Sequence, residues 1–153
     1  MKKEAILKLL SGIIALLFFY AAVSKLVDFE KSKHEMLNQV FSQDIALLLV
    51  WLVPVIELGI VGLLLVNAAR LKGFYAALIL LCVFSIYIAV TMTGAFGRIP
   101  CSCGGILNHM GYWTHLIFNL LFIGFAMLGI ALQSGWITNR VVNFFKRKEV
   151  FHT

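Results

Sequence analysis

Pro100-Cys101-Ser102-Cys103-Gly104-Gly105 lies in a polar break between two strongly apolar segments. Thiol–disulfide exchange needs two cysteines within bonding reach, because a thiolate attacks and a disulfide sulfur accepts. Cys101 and Cys103 meet that need locally. The one-residue spacer makes a tight ring, and disulfides have strict dihedral preferences. A strained bond is easier to reduce, and so better suited to passing its oxidation on than to holding a fold together. Gly104 and Gly105 supply backbone freedom at the turn, and Pro100 fixes its entry. Two other chemistries are open. Cys101 and Cys103, joined by His109, Met110 or His115, have the ligand types for copper(I) or zinc. The pair can also be a structural disulfide, or unpaired thiols, shaping the loop. The third cysteine, Cys82, stands among Leu80, Leu81, Val83 and Phe84 and reads as a small, inert packing residue.

The elements that must hold this loop follow from composition. Of 153 residues, 61% are hydrophobic and 13% charged, and the mean hydropathy is +0.96. A soluble domain carries roughly 25% charged residues. The chain has two prolines, Pro54 and Pro100, and no low-complexity linker. It therefore reads as a single membrane domain over 1–153. A helix needs about 20 mostly apolar residues to span the hydrocarbon core. Four stretches qualify, at about 6–27, 45–66, 74–93 and 113–132. Backbone groups in lipid must be satisfied within each segment, and strand-type alternation is absent, so the fold class is an all-α, four-helix integral membrane bundle. The first run is longer than the apolar core of a signal peptide and reads as a membrane helix.

Lys and Arg set the orientation. Lys2, Lys3, Lys8, Arg70, Lys72, Arg140, Lys146, Arg147 and Lys148 fall on one side, and Lys25, Lys31, Lys33 and Arg98 on the other. The positive-inside rule then puts both termini in the cytoplasm. Outer loops 28–44 and 94–112 face outward, where disulfides persist. Trp51, Tyr112, Trp113 and Trp136 lie near segment ends, as interfacial aromatics do. The net charge of +6 is explained by these flanking cations, and no basic face interleaved with aromatics suggests nucleic acid. In the first outer loop, Phe29, Met36, Leu37, Val40 and Phe41 have the spacing of a short amphipathic helix, a lid or docking face; a plain solvated connector is the alternative. The basic tail 139–153 reads as a cytoplasmic interfacial anchor.

Ionisable groups inside a membrane are expensive and face the bundle interior. Lys25 ends the first segment, and Glu57 lies near the middle of the second, three residues after Pro54. Tyr87 and Thr91 are one turn apart on the third, and His115 and Asn119 one turn apart on the fourth. These residues suggest a polar pocket beneath the Cys-Ser-Cys loop. Arg98 or His115 would stabilise a thiolate. His115, Asn119, Tyr87 and Thr91 would bind a quinone, with His115 facing a carbonyl or moving protons. The structural alternatives are a His115–Asn119 pair bonded to each other and to loop backbone, and a Glu57–Lys25 ion pair that fixes packing.

Four sets of residues resemble the DoxX-like superfamily of small membrane proteins, and most closely its MauE/DoxX branch. They are Ser24-Lys25-Leu26-Val27-Asp28-Phe29, Pro54-Val55-Ile56-Glu57-Leu58-Gly59, Cys101-Ser102-Cys103-Gly104-Gly105, and Trp113-x-His115 with Asn119 one turn on. The resemblance spans about 6–132. It implies a redox-associated protein of the bacterial inner membrane, working with a periplasmic thioredoxin-like or secreted partner. Other four-helix disulfide-generating proteins pass electrons to quinone but use Cys-x-x-Cys and a second outer pair. This chain has Cys-x-Cys and no second outer pair, so a complete relay needs a partner's cysteines. The expected function is therefore transfer of electrons between such a partner and the quinone pool through Cys101 and Cys103. The rival is a non-enzymatic subunit that anchors a larger complex, alongside other membrane subunits, for maturation or export of secreted proteins.

Overall fold

The computed structural model describes residues 2–38, 42–93 and 112–135. Those residues form five helices: α1 (Lys2–Val27), α2 (Phe29–Leu37), α3 (Gln43–Leu65), α4 (Arg70–Met92) and α5 (Tyr112–Gln133). All except α2 are long and apolar enough to cross a membrane. Each coincides with one of the four expected spans: α1 and α5 contain theirs, and α3 and α4 begin earlier and end one residue sooner. The start moves furthest at α1 and α4, each by four residues, and α4 takes Lys72 into its first turn. Apolar composition marks where a helix is solvated by lipid, whereas its hydrogen-bond ladder continues until the chain turns. That turn is short: the Ala69 amide donates to the Val66 carbonyl at 3.0 Å.

The four long helices close into a ring. α1 packs chiefly on α3 and α4 chiefly on α5, while α3–α4 and α5–α1 contacts complete it. α1 and α4 meet little, as diagonal partners. Two close approaches set the spacing. A Cβ at Gly73 would come within 2.8 Å of the Leu64 amide nitrogen, and one at Gly129 within 2.5 Å of the Phe74 ring. Only glycine permits these separations, and small residues at helix contacts are how bundles in lipid gain packing contacts.

Every long helix buries a stripe built of three- and four-residue steps, the spacing of coiled-coil-like packing. On α1 the stripe runs Leu7, Ser11, Ile14, Phe18, Ala22. On α3 it runs Ala46, Val50, Val53, Glu57, Ile60, Leu64, and on α5 His115, Asn119, Phe122, Ala126. The apolar core draws Leu7, Ile14 and Phe18 from α1 and Ile60 and Leu64 from α3. From α4 it takes Phe74, Ala77 and Leu81, and from α5 Phe122 and Ala126. The outward faces are equally apolar, with Leu16 68% and Ile79 64% exposed. Such faces are the signature of a lipid-solvated surface, and the protein is a multi-pass membrane protein.

The spacing in 28–44 is realised as α2, which rests on α3 with the Phe29 and Trp51 ring centroids 4.8 Å apart. Trp51 therefore supports α2 from a position eight residues inside α3. No residue of α2 is buried. Val40 and Phe41 lie outside the described residues.

Candidate functional site

The core stripes change character toward one end of the bundle. Toward the end where α1 stops and α5 begins, polar side chains join the buried positions: Glu57 near the middle of α3, Ser85 and Thr91 on α4, His115 and Asn119 on α5. Lys25, half-buried, adds a cation from the last turn of α1. Each of the four long helices thus contributes to one polar cluster.

Lys25 and Glu57 form its fixed part. Helical side chains tilt toward the N-terminus of their own helix. The Lys25 side chain therefore runs back into the bundle, and Glu57 on α3 leans toward it. Lys25 Nζ donates to Glu57 Oε1 at 2.7 Å, to Oε2 at 3.1 Å and to the Ala21 carbonyl at 3.2 Å. An ammonium has three donors, and all three are used. Glu57 is 1% exposed. Pro54, one turn earlier and also buried, offers no N–H to the Val50 carbonyl. The Lys25–Glu57 ion pair weighed from the sequence is present.

On α4 the hydroxyls look inward to their own helix. Thr91 Oγ1 donates to the Tyr87 carbonyl at 2.8 Å and Ser85 Oγ to the Leu81 carbonyl at 2.8 Å. On α5 a buried amide donor is unmet among the described residues. Asn119 is 5% exposed and its Nδ2 has no hydrogen-bond partner among the described residues, His115 included. The expected His115–Asn119 bond is thus not made from that nitrogen. His115 shares the buried stripe one turn away. A buried amide donor without an acceptor costs roughly 1–3 kcal/mol. A buried amide donor with no acceptor among the described residues can bind a ligand carrying carbonyl or hydroxyl oxygens.

The sequence-derived residues divide cleanly. Lys25 and Glu57 are brought into contact, and Thr91, His115 and Asn119 take buried positions toward the same end of α4 and α5. Tyr87 is half-buried and contributes its carbonyl to Thr91. Cys101, Cys103 and Arg98 lie outside the described residues, as do His109, Met110 and the tail 139–153. Cys82 is a half-buried free thiol in α4.

One residue has a different role from the one its position in a basic turn suggested. Arg70 is 4% exposed, pairs with Glu4 Oε2 of α1 at 3.5 Å and donates to Asn67. It ties α1 to the α3–α4 turn. Glu4 and Arg70 are too far apart in sequence for spacing to reveal the pair.

No curated protein and no solved structure matches the chain. A family model described as "Methylamine utilisation protein MauE" matches residues 3–132, which takes in all five helices save the first and last residue of the bundle. The chain, with its four lipid-facing helices and the polar cluster they enclose, belongs to the MauE family of membrane proteins.

Proposed function

We propose that this MauE-family membrane protein is a thiol/disulfide redox protein. Cys101 and Cys103 exchange with a periplasmic thioredoxin-like or secreted partner, and electrons pass between that pair and a membrane quinone held against α5. The observation that carries the reading is the Asn119 Nδ2 donor, buried and unpartnered one turn from His115. A quinone carbonyl is an uncharged, lipid-soluble acceptor of the kind such a donor lacks. The segment bearing Cys101 and Cys103 connects α4 to α5. Thr91 is near the end of one of these helices, and His115 is near the start of the other.

The stoichiometry is consistent. Oxidation of the Cys101/Cys103 dithiol to a disulfide releases two electrons and two protons, the number a quinone takes up on reduction to quinol. A partner dithiol that re-reduces the pair becomes a disulfide in turn. Arg98 and His115 favour the thiolate form of an attacking cysteine. The cation asymmetry supports a periplasmic position for the pair and inner-membrane residence.

The test is quinone reduction by the purified full chain in lipid nanodiscs, with a dithiol as donor and a short-chain ubiquinone analogue as acceptor. Wild type turns over, and Cys101→Ser or Cys103→Ser abolishes turnover. A Cys101→Ser protein that retains the rate refutes the redox reading and favours the anchoring subunit. So does a pair potential far below about −300 mV with no quinone reduction. Bound copper or zinc that is lost on Cys→Ser substitution would instead support the metal reading. Labelling of Cys101 by an impermeant maleimide in intact spheroplasts tests the orientation.

A further inference from the structure

The three donors of the Lys25 ammonium are all used, so it offers no free donor to a ligand. Its position gives it another means of acting. The ammonium and carboxylate are in contact at 2.7 Å, and Glu57 is 1% exposed, within a bundle solvated by lipid. Charges in such surroundings are poorly screened and act over several ångströms. The pair is also oriented. Lys25 belongs to α1, which packs on α5, whereas Glu57 belongs to α3, across the ring from α5. The positive end of the pair is therefore the one carried by the helix that packs on α5, where Asn119 Nδ2 has no hydrogen-bond partner among the described residues.

We infer that Lys25 is an electrostatic positioning residue: held by Glu57, it makes the α5 site prefer a ring ligand whose oxygen carries negative charge over its neutral counterpart. The inference rests on the reading that a quinone-type ring occupies this site. The ligand class is a planar, carbonyl-bearing ring with an ionised or ionising oxygen. As electrons reach such a ring from the dithiol, negative charge grows on its oxygens before protons arrive, and Lys25 offsets that charge without giving up a proton of its own. Asn119 supplies the directional hydrogen bond and Lys25 the charge.

Two probes of nearly equal shape separate the terms: 2-hydroxy-1,4-naphthoquinone, an anion at neutral pH, and its neutral 2-methoxy ether. Binding of each to the full chain in neutral-lipid nanodiscs is followed by isothermal titration calorimetry. Wild type binds the anion about tenfold more tightly, the size of a unit charge several ångströms away at an effective dielectric of about 20 and partly offset by Glu57. Lys25→Met/Glu57→Leu keeps the helices and brings the ratio to about one. Glu57→Gln raises the ratio, because the ammonium loses its counter-charge; a merely structural pair would weaken both probes alike. Equal binding of the two probes to wild type overturns the role of Lys25 without any variant, as does an unchanged ratio in the folded double variant. If wild type binds neither probe, the quinone reading itself falls, and the role of Lys25 with it.

Discussion

Glu57→Leu removes one member of a buried pair and leaves the other in place. Lys25 then keeps one donor on the Ala21 carbonyl at 3.2 Å and loses acceptors at 2.7 and 3.1 Å. Breaking a buried ion pair by removing one partner costs about 3–5 kcal/mol, because an uncompensated charge remains. The Lys25 side chain is 18% exposed, so some water reaches the ammonium, and the expected loss lies at the lower end, about 3 kcal/mol. That size discriminates, since hydrogen bonds between membrane helices average only about 0.6 kcal/mol. Replacing both members, as in Lys25→Met/Glu57→Leu, removes the charge with its partner and is expected to cost within about 1 kcal/mol of wild type. The assay is reversible unfolding in mixed micelles, followed by far-UV circular dichroism, on wild type, both single variants and the double. The sum of the single effects should exceed the double by at least about 2 kcal/mol. A Glu57→Leu loss below about 1 kcal/mol, or singles that simply add to the double, refutes the ion pair.

Three further outcomes are expected. Gly129→Ala drives a methyl group to 2.5 Å from the fully buried Phe74 ring and should lower stability by about 1–3 kcal/mol, measured in the same micelle assay. Asn119→Leu removes a buried donor that has no partner among the described residues, so the bundle should be at least as stable as wild type while quinone reduction falls; loss of stability with activity retained would mean the amide is structural. Phe29→Ala deletes the ring packed 4.8 Å from Trp51, worth about 1 kcal/mol, and should speed amide exchange across Phe29–Leu37 while leaving the unfolding of the four long helices nearly unchanged.

The membrane-length helices are legible because lipid requires long apolar runs, and each run matches a helix to within a few residues at its ends. The buried faces are less legible. Leu16 and Leu64 are chemically alike, yet one is 68% exposed and the other 0%. Hydrophobic periodicity, the main guide in a soluble helix, is flattened when both faces are apolar. The informative residues are the exceptions. Ser11, Glu57, Ser85, Thr91, His115 and Asn119 are all buried, and each marks its helix's inner stripe. The Lys25–Glu57 partnership could be posed from residue types and depth. The Glu4–Arg70 pair could not, because it depends on how α4 packs beside α1. Nor does the sequence tell a satisfied asparagine from an unsatisfied one, since this depends on which atoms face Nδ2.

The distribution of satisfied and unsatisfied groups bears on why the polar cluster exists. A structural role accounts for Lys25 and Glu57 on their own, since every ammonium donor is met and two helices are joined. It also accounts for Thr91 and Ser85, whose hydroxyls are met by their own helix. It does not account for Asn119. Leucine at that stripe position would fill similar space with no orphan donor, and the position next along the stripe, Phe122, already continues the apolar core. Helix packing in lipid gains nothing from burying an unmet amide. Its cost is recovered only when something supplies an acceptor. That acceptor is not among the described residues, and the outer faces of the helices around it are apolar. Under the proposed function it is the carbonyl of a lipid-soluble ligand, which is compatible with such surroundings. An anchoring subunit would need no unmet donor at that position.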